Sequence, residues 1–498
     1  MGLLDSLLLG LAAVLTPGNL FFCLLGVMLG TLIGALPGIG PLTAIALLVP
    51  VTMHMPTETA LILLAGIYYG AEYGGSISSI LLNVAGTPSS AIACLDGHPM
   101  ARRGRAGPAL LLSALASFAG GLLGIAALVM ITPALVDLAF GFGPAEYFAA
   151  MLFALLAASV IHKGGARKGI AMMLLGLLLG TVGLDTDSGV ARFTVGITEL
   201  QSGITIIVMA MGLFGVSEVI LMMHNRAAQV SFRNPRLYEL LPTPQEWRES
   251  PGPGLRGGVI GVVMGALPGA GPTIASISAY AAEMRLTRQP ERFGQGAVAG
   301  LVSPESANNA AAQTAFVPTL SLGIPGSATM AVILGVLLIH GIEPGPMFMT
   351  AHGDMFWALV ASFLVGNVFL LVLNIPLIGL WVRLLRVPPQ WLYPVILVLM
   401  AVSVFSLNQS VVSVVVMLII GMMGYFLRLA GFHLTPVLVG YVLGPLMEEN
   451  LRRALAISQG DMAILFGSHY SIGLLTASAL LLAASFNRRR FAPDGHQK

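Results

Sequence analysis

One seven-residue stretch of an otherwise apolar chain carries a carboxylate and two amides: Ser303-Pro304-Glu305-Ser306-Ala307-Asn308-Asn309. Burying such groups is costly, so an intramembrane carboxylate is a functional site by default. A hard cation such as sodium takes oxygen ligands, and Glu305, Ser306, Asn308 and Asn309 offer them together with neighbouring carbonyls. The first-half counterpart is Tyr69-Gly70-Ala71-Glu72-Tyr73-Gly74-Gly75-Ser76, in which Glu72 precedes Glu305 by 233 positions. A plainer alternative stands beside this: both glutamates are structural and bond backbone N–H groups freed where helices break.

Hydroxyls make a second set. Asn83, Thr87, Ser89 and Ser90 surround the loop Gly86-Thr87-Pro88-Ser89-Ser90-Ala91. Ser321, Ser327 and Thr329 surround the similar loop Gly323-Ile324-Pro325-Gly326-Ser327-Ala328, 237 positions later. Small hydroxyls and free N–H groups at helix N-termini suit a carboxylate substrate, because the helix dipole favours negative charge there. Taken singly, each Ser or Thr is better explained as a helix cap, and only their convergence near two breaks raises the functional reading. Asp96-Gly97-His98-Pro99 reads as a turn entering the cytoplasm, while Glu218 and the pair Glu448 and Glu449 read as interface or scaffold contacts.

These residues must be positioned by a stretch that occurs twice. Residues 26–41, GVMLGTLIGALPGIGP, and residues 257–272, GGVIGVVMGALPGAGP, share nine of sixteen positions at an offset of 231. Glycine recurs every fourth residue, at Gly26, Gly30, Gly34 and Gly38 and at Gly257, Gly261, Gly265 and Gly269, which puts a bare face on each helix for another backbone to approach. Each face then runs into P-G-x-G-P, which breaks the helix. Unwound backbone at membrane depth is tolerated where it lines a cavity. Gly38, Gly40, Thr43, Gly269, Gly271 and Thr273 are therefore substrate-site candidates along with Asn83, Thr87, Ser89, Ser90, Gly326 and Ser327, and Pro37, Pro41, Pro268 and Pro272 shape the loops.

With 56% hydrophobic and only 9% charged residues among 498, the chain reads as an all-α polytopic membrane protein. The net charge of +2 is spread over separated short loops, which excludes a nucleic-acid footprint. Two cysteines, Cys23 and Cys94, lack the spacing of a metal site. No HExxH, P-loop or nucleophile-elbow pattern appears, so neither an enzyme nor an ATP-driven pump is expected, and no cofactor is called for. The expected organisation is a first membrane repeat over 1–224, a polar cytoplasmic linker over 225–256, a second repeat over 257–486 and a cytoplasmic tail from 487. Apolar segments near 58–72 and 76–95, and near 293–303 and 306–322, are expected to be separate pieces. Placing the basic loops (Arg102 to Arg105, Lys163 to Lys168, Arg383 and Arg386, Arg428, Arg488 to Arg490) in the cytoplasm puts both termini there too. The two repeats then have inverted topology, with broken helices and re-entrant hairpins.

Several long motifs together resemble the large membrane subunit of the tripartite tricarboxylate transporters: GTLIGALPGIGP, YGGSISSILLNVAGTPSSA, LDGHPMARRG, GALPGAGP, SPESANNAAAQTAFVPTLSLGIPGSA and LGPLMEENLRRAL. The resemblance covers nearly the whole chain. It implies a bacterial inner-membrane permease working with a small four-helix membrane subunit and a periplasmic solute-binding protein. It further implies secondary uptake of citrate or a related carboxylate, coupled to Na+ or H+. Joined to the breaks and hairpins, it suggests an elevator-type carrier whose scaffold includes 107–132, 144–161, 347–375 and 389–406; a homodimer is a further possible partner state. The competing classes are a channel, a stand-alone carrier for small organic anions, and an intramembrane enzyme.

Overall fold

The computed structural model of the chain describes residues 2–36, 40–160, 165–185, 187–224, 240–377, 380 and 389–487. Pro37 and Gly38, Lys163, most of the polar linker, Arg383, Arg386 and the tail from Arg488 lie outside the described residues. The first half runs α1 (Leu3–Val14), α2 (Pro17–Ala35), α3 (Gly40–Thr52), α4 (Thr57–Leu82), α5 (Ala93–Met100), α6 (Ala106–Ala139), α7 (Pro144–Val160), α8 (Ala166–Gly180) and α9 (Ile206–His224). The second runs α10 (Pro251–Ala266), α11 (Gly271–Leu286), α12 (Val298–Thr314), α13 (Phe316–Leu322), α14 (Ala328–Ile339), α15 (Gly353–Asn374), α16 (Pro389–Asn408), α17 (Val411–Leu429), α18 (Thr435–Ile457) and α19 (His469–Asn487). The only sheet among the described residues is a two-stranded ribbon pairing Gly183 with Arg192 and Leu184 with Ala191. Among the described residues, five helical stretches are long and apolar enough to cross a membrane: 17–35, 89–139, 206–224, 353–374 and 411–429. An all-helical membrane protein is thus what the sequence folds into.

Both glycine ladders pack on the long helix that follows them. A Cβ at Gly26, Gly30 or Gly34 would strike the backbone of Leu63, Ile67 or Ala71 on α4. A Cβ at Gly257, Gly261 or Gly265 would strike Ser303, Ala307 or Ala311 on α12. The partner residues are 240 positions apart (63 and 303, 67 and 307, 71 and 311), whereas the ladders are 231 apart. The second half therefore spends nine more residues between break and partner helix, on the longer α11 and the loop after it. The same 240 register relates the helix-ending residues Asn83 and Gly323, both left-handed at φ 56° and 67°. It replaces the 237 and 233 offsets read from sequence.

Two expected boundaries move. α4 runs unbroken through Gly74 and Gly75, because those glycines serve close approach: a Cβ at Gly74 would meet the backbone of Thr31, and one at Gly75 would come 2.8 Å from Thr87 Oγ1. α12 likewise passes through Pro304 and ends at Thr314, held on separate sides by α10, α6 and α11. The core is pinned by aromatic contacts, Tyr68 with Phe316 at 6.1 Å, Phe316 with Phe363 at 5.0 Å and Tyr69 with Phe363 at 5.5 Å between ring centroids, tying α4, α13 and α15.

Candidate functional site

The first hairpin tip is built from hydroxyls that fold back onto α4. Thr87 N–H donates to Ser90 Oγ at 3.1 Å, Ser90 N–H donates to Thr87 Oγ1 at 3.3 Å, and Ser79 Oγ donates to Ser90 Oγ at 3.0 Å. Thr87 and Ser89 then turn to the Glu72 carboxylate: both hydroxyls donate to Oε2, Thr87 at 3.4 Å, and they lie 2.8 Å from each other. Glu72 is 5% exposed. From the second half, Asn308 Nδ2 donates to the Glu72 carbonyl at 3.3 Å, and its amide also reaches the carboxyl.

The second carboxylate lies on the same face. Residues 305, 308 and 309 share one side of α12, by the i, i+3, i+4 rule. Glu305 accepts from Ser117 of α6 at 3.3 Å, and Ser76 and Ser113 face the same carboxyl. Asn309 Nδ2 bonds the Glu305 carbonyl of its own helix at 3.1 Å. Among the described residues, the side-chain partners of the two glutamates are hydroxyls and an amide, and no Lys or Arg pairs with either. Among the same residues, no backbone N–H group donates to either carboxylate. Ser306 points away, towards Gly258 of α10.

The second tip repeats the first without its charge. Ser327 Oγ accepts Met330 N–H at 3.2 Å, which is the Thr87 and Ser90 cap transposed by 240 positions. Gly326 N–H donates to Thr319 Oγ1 at 3.3 Å, and the Gly326 carbonyl accepts Gly269 N–H at 3.1 Å, joining tip to break. Gly269 and Gly271 need their freedom here, at φ 78° and 57°; a Cβ on Gly271 would lie 3.1 Å from Ser327 Cβ. Gly40 also has positive φ, 56°, but with open space where a Cβ would go. The arrangement is crosswise: α11 packs on the 3-10 turn Ser89–Ile92 of the first tip, and α14 packs on α3.

Thus Thr87 and Ser89 gather with Asn308 at Glu72, supported by Ser90, while Gly269, Gly271, Gly326 and Ser327 gather at the second tip. Asn309 sits beside Glu305. Thr43 instead faces Gly215 of α9, Asn83 is exposed at the end of α4, and Thr273 is half-buried on α11. Three residues near these carboxylates carried no sequence signal strong enough to find, Tyr68, Ser113 and Ser117, and Asp96 was legible only as part of a turn. Ser113 and Ser117 are four residues apart, which places them on one face of α6, but serine is too common for that spacing to stand out.

Asp96 is not in a turn. It lies on α5, 0% exposed, and accepts the N–H groups of Gly296 and Ala297 at 2.7 Å each, with Tyr280 Oη at 3.0 Å. The helix directly after the first tip thereby caps the N-terminus of α12, the helix that carries Glu305, Asn308 and Asn309.

Residues 20–439 match the family described as "Tripartite tricarboxylate transporter TctA family". The chain is 44% identical over 476 residues to an Agrobacterium vitis protein named as an uncharacterized 52.8 kDa protein in the TAR-I ttuC' 3' region, covering 95% of this chain and 94% of that one. A second A. vitis protein, named as uncharacterized in the TAR-II ttuC' 3' region, is 44% identical over 215 residues, covering 43% of this chain and 89% of its own length. No solved structure matches the chain.

Proposed function

Since the chain belongs to the tripartite tricarboxylate transporter TctA family, and so is a membrane component of a transport system, we propose that it is the permease that carries a tricarboxylate or related carboxylate across the bacterial inner membrane, driven by a cation gradient. A small four-helix membrane subunit and a periplasmic solute-binding protein complete the system, and the binding protein delivers substrate. The observation that carries cation coupling is the pair of buried carboxylates, Glu72 bonded by hydroxyls of the first hairpin tip and Glu305 by a hydroxyl of α6. An anionic substrate beside two buried carboxylates repels them unless cations travel with it.

The crosswise packing of α11 on the first tip and α14 on α3 supports two inverted repeats, 1–224 and 257–486, joined by the linker at 225–256. Substrate carboxylates are recognised by Thr87, Ser89, Ser90 and Ser327 with the backbone of Gly269, Gly271 and Gly326. In an elevator movement α6 travels with the core and not with the scaffold, because Gly120 and Gly124 lock its backbone onto Ser306 and Ala310 of α12. The test is uptake into proteoliposomes containing the chain and both partner subunits, with sodium and pH gradients imposed separately. Concentrative, saturable uptake driven by one of them is expected; indifference to both ends the coupled-carrier reading.

A further inference from the structure

Resting on that reading of cation coupling, the geometry points to a sodium site centred on Glu72, formed by its carboxylate, the hydroxyls of Thr87 and Ser89 and the side-chain oxygen of Asn308. Three oxygens already converge there: Thr87 Oγ1 and Ser89 Oγ lie 2.8 Å apart and both contact Glu72 Oε2. Two further oxygens border the cluster without a hydrogen-bond partner. Asn308 Oδ1 is one, on a residue 0% exposed whose amide nitrogen already touches Glu72. The other is the Tyr68 hydroxyl, on a residue 1% exposed, with Glu72 and Ser327 in its surroundings. Turning the Asn308 amide by 180° presents Oδ1 to the point where its nitrogen now sits.

A buried carboxylate beside an orphaned oxygen is unfavourable by itself, and a hard cation that gathers the Glu72 carboxylate with Asn308 Oδ1 satisfies both. A proton on Glu72 would leave Asn308 Oδ1 as it is. A divalent ion is overcharged for a single carboxylate, since calcium sites of the usual kind gather several. Glu305 is the poorer centre: hydroxyls of α4 and α6 surround its carboxyl, and Ser306, expected as a ligand, faces Gly258. The site is also composite. Thr87 and Ser89 belong to the first tip and Asn308 to α12 of the other half, so sodium completes its shell only when the tip is seated, and sodium binding orders the tip that the substrate meets.

The experiment follows thermal unfolding of the full-length chain in lipid nanodiscs at fixed pH. Sodium chloride is titrated against choline chloride at constant ionic strength, with potassium as a second comparison. A midpoint that rises with sodium alone is expected, as for any ligand that binds the folded state preferentially. The rise should vanish in Glu72→Gln and Asn308→Ala, and in Ser89→Ala it should need roughly tenfold more sodium. If Glu72→Gln does not fold, Ser89→Ala and Asn308→Ala decide. A wild-type midpoint blind to sodium overturns the proposal. So does a rise that survives in Asn308→Ala and Ser89→Ala, or one that disappears in Glu305→Gln while persisting in Glu72→Gln. Because this readout needs no transport, a sodium response without coupled uptake defeats the carrier reading alone, and sodium-driven uptake with the response intact in the Glu72 variant defeats the site alone.

Discussion

At Asp96 one carboxylate gathers three donors, Gly296 N–H, Ala297 N–H and Tyr280 Oη. All three would be left without a buried acceptor in Asp96→Ala, and unsatisfied buried donors cost about 1–3 kcal/mol each. A drop in unfolding midpoint of several degrees is expected, with Asp96→Asn intermediate because it keeps one acceptor oxygen. Gly300 on α12 belongs to the same contact: a side chain there would run into the Asp96 carboxylate. An Asp96→Ala protein as stable as wild type would show that the cap carries nothing. The sequence presents Asp96 next to Gly97 and Pro99, which reads as a turn; only its partners, 200 residues away, show why a helix holds there.

For the helices, the decisive contact is glycine against backbone. A Cβ at Gly30 would lie 2.9 Å from Ile67 Cα, with no flexible side chain to yield. Gly30→Val must therefore push α2 off α4, an overpacking that costs typically about 1–3 kcal/mol. Gly18, on the same helix, has nothing within 4 Å of a Cβ. Gly18→Ala should be neutral or slightly stabilising, since alanine is the better helix former by up to about 1 kcal/mol. Thermal unfolding of the two variants side by side separates packing from propensity, and equal midpoints would refute the ladder's role. α18 extends further than hydropathy suggests, to Ile457, because the pairs Glu448 with Arg452 and Glu449 with Arg453 are spaced four apart along it. Glu218 pairs with Arg428 between α9 and α17.

Across the whole molecule, a network outside the membrane segments ties the loop after α8 to the end of α18. Arg452 bonds Asp185 at 3.1 Å and Asp187 at 2.6 Å, and Arg192 bonds Asp185 at 2.5 Å and Glu448 at 3.2 Å. The Arg452 guanidinium, then the Asp187 N–H and Arg192, hold the Asp185 carboxyl well below the usual aspartate range. A depressed folded pKa means the contribution is present above the unfolded value, about 3.9, and is lost as pH falls from there through the folded value. The loop should stay docked from neutral pH down to about pH 4 and release only in stronger acid. Limited proteolysis across the loop reads this directly, and cleavage that already rises between pH 7 and 5 would contradict it. High salt should loosen the same loop at neutral pH, because these charges are largely solvent-accessible.

Much of this protein is local, and the sequence determines what is local. Apolar length, the four-residue glycine repeat and P-G-x-G-P state by themselves that helices cross a membrane, approach closely on one face and break twice. Tips near 86–89 and 323–327 were legible for the same reason, since turns are written in Gly, Pro, Ser and Thr. Register was not legible. Nine residues are added between the second break and its partner helix, so aligning Glu72 with Glu305 by sequence paired residues that are not equivalent; the counterpart of Glu72 at 240 positions is Ala312. Which oxygens share a site was not legible either. Glu72 meets Asn308, Glu305 meets Ser117, and Ser306 turns aside although it adjoins Glu305. A helix rotates each successive residue by about 100°, so neighbours in sequence face different partners. Only packing between the halves decides which of them converge.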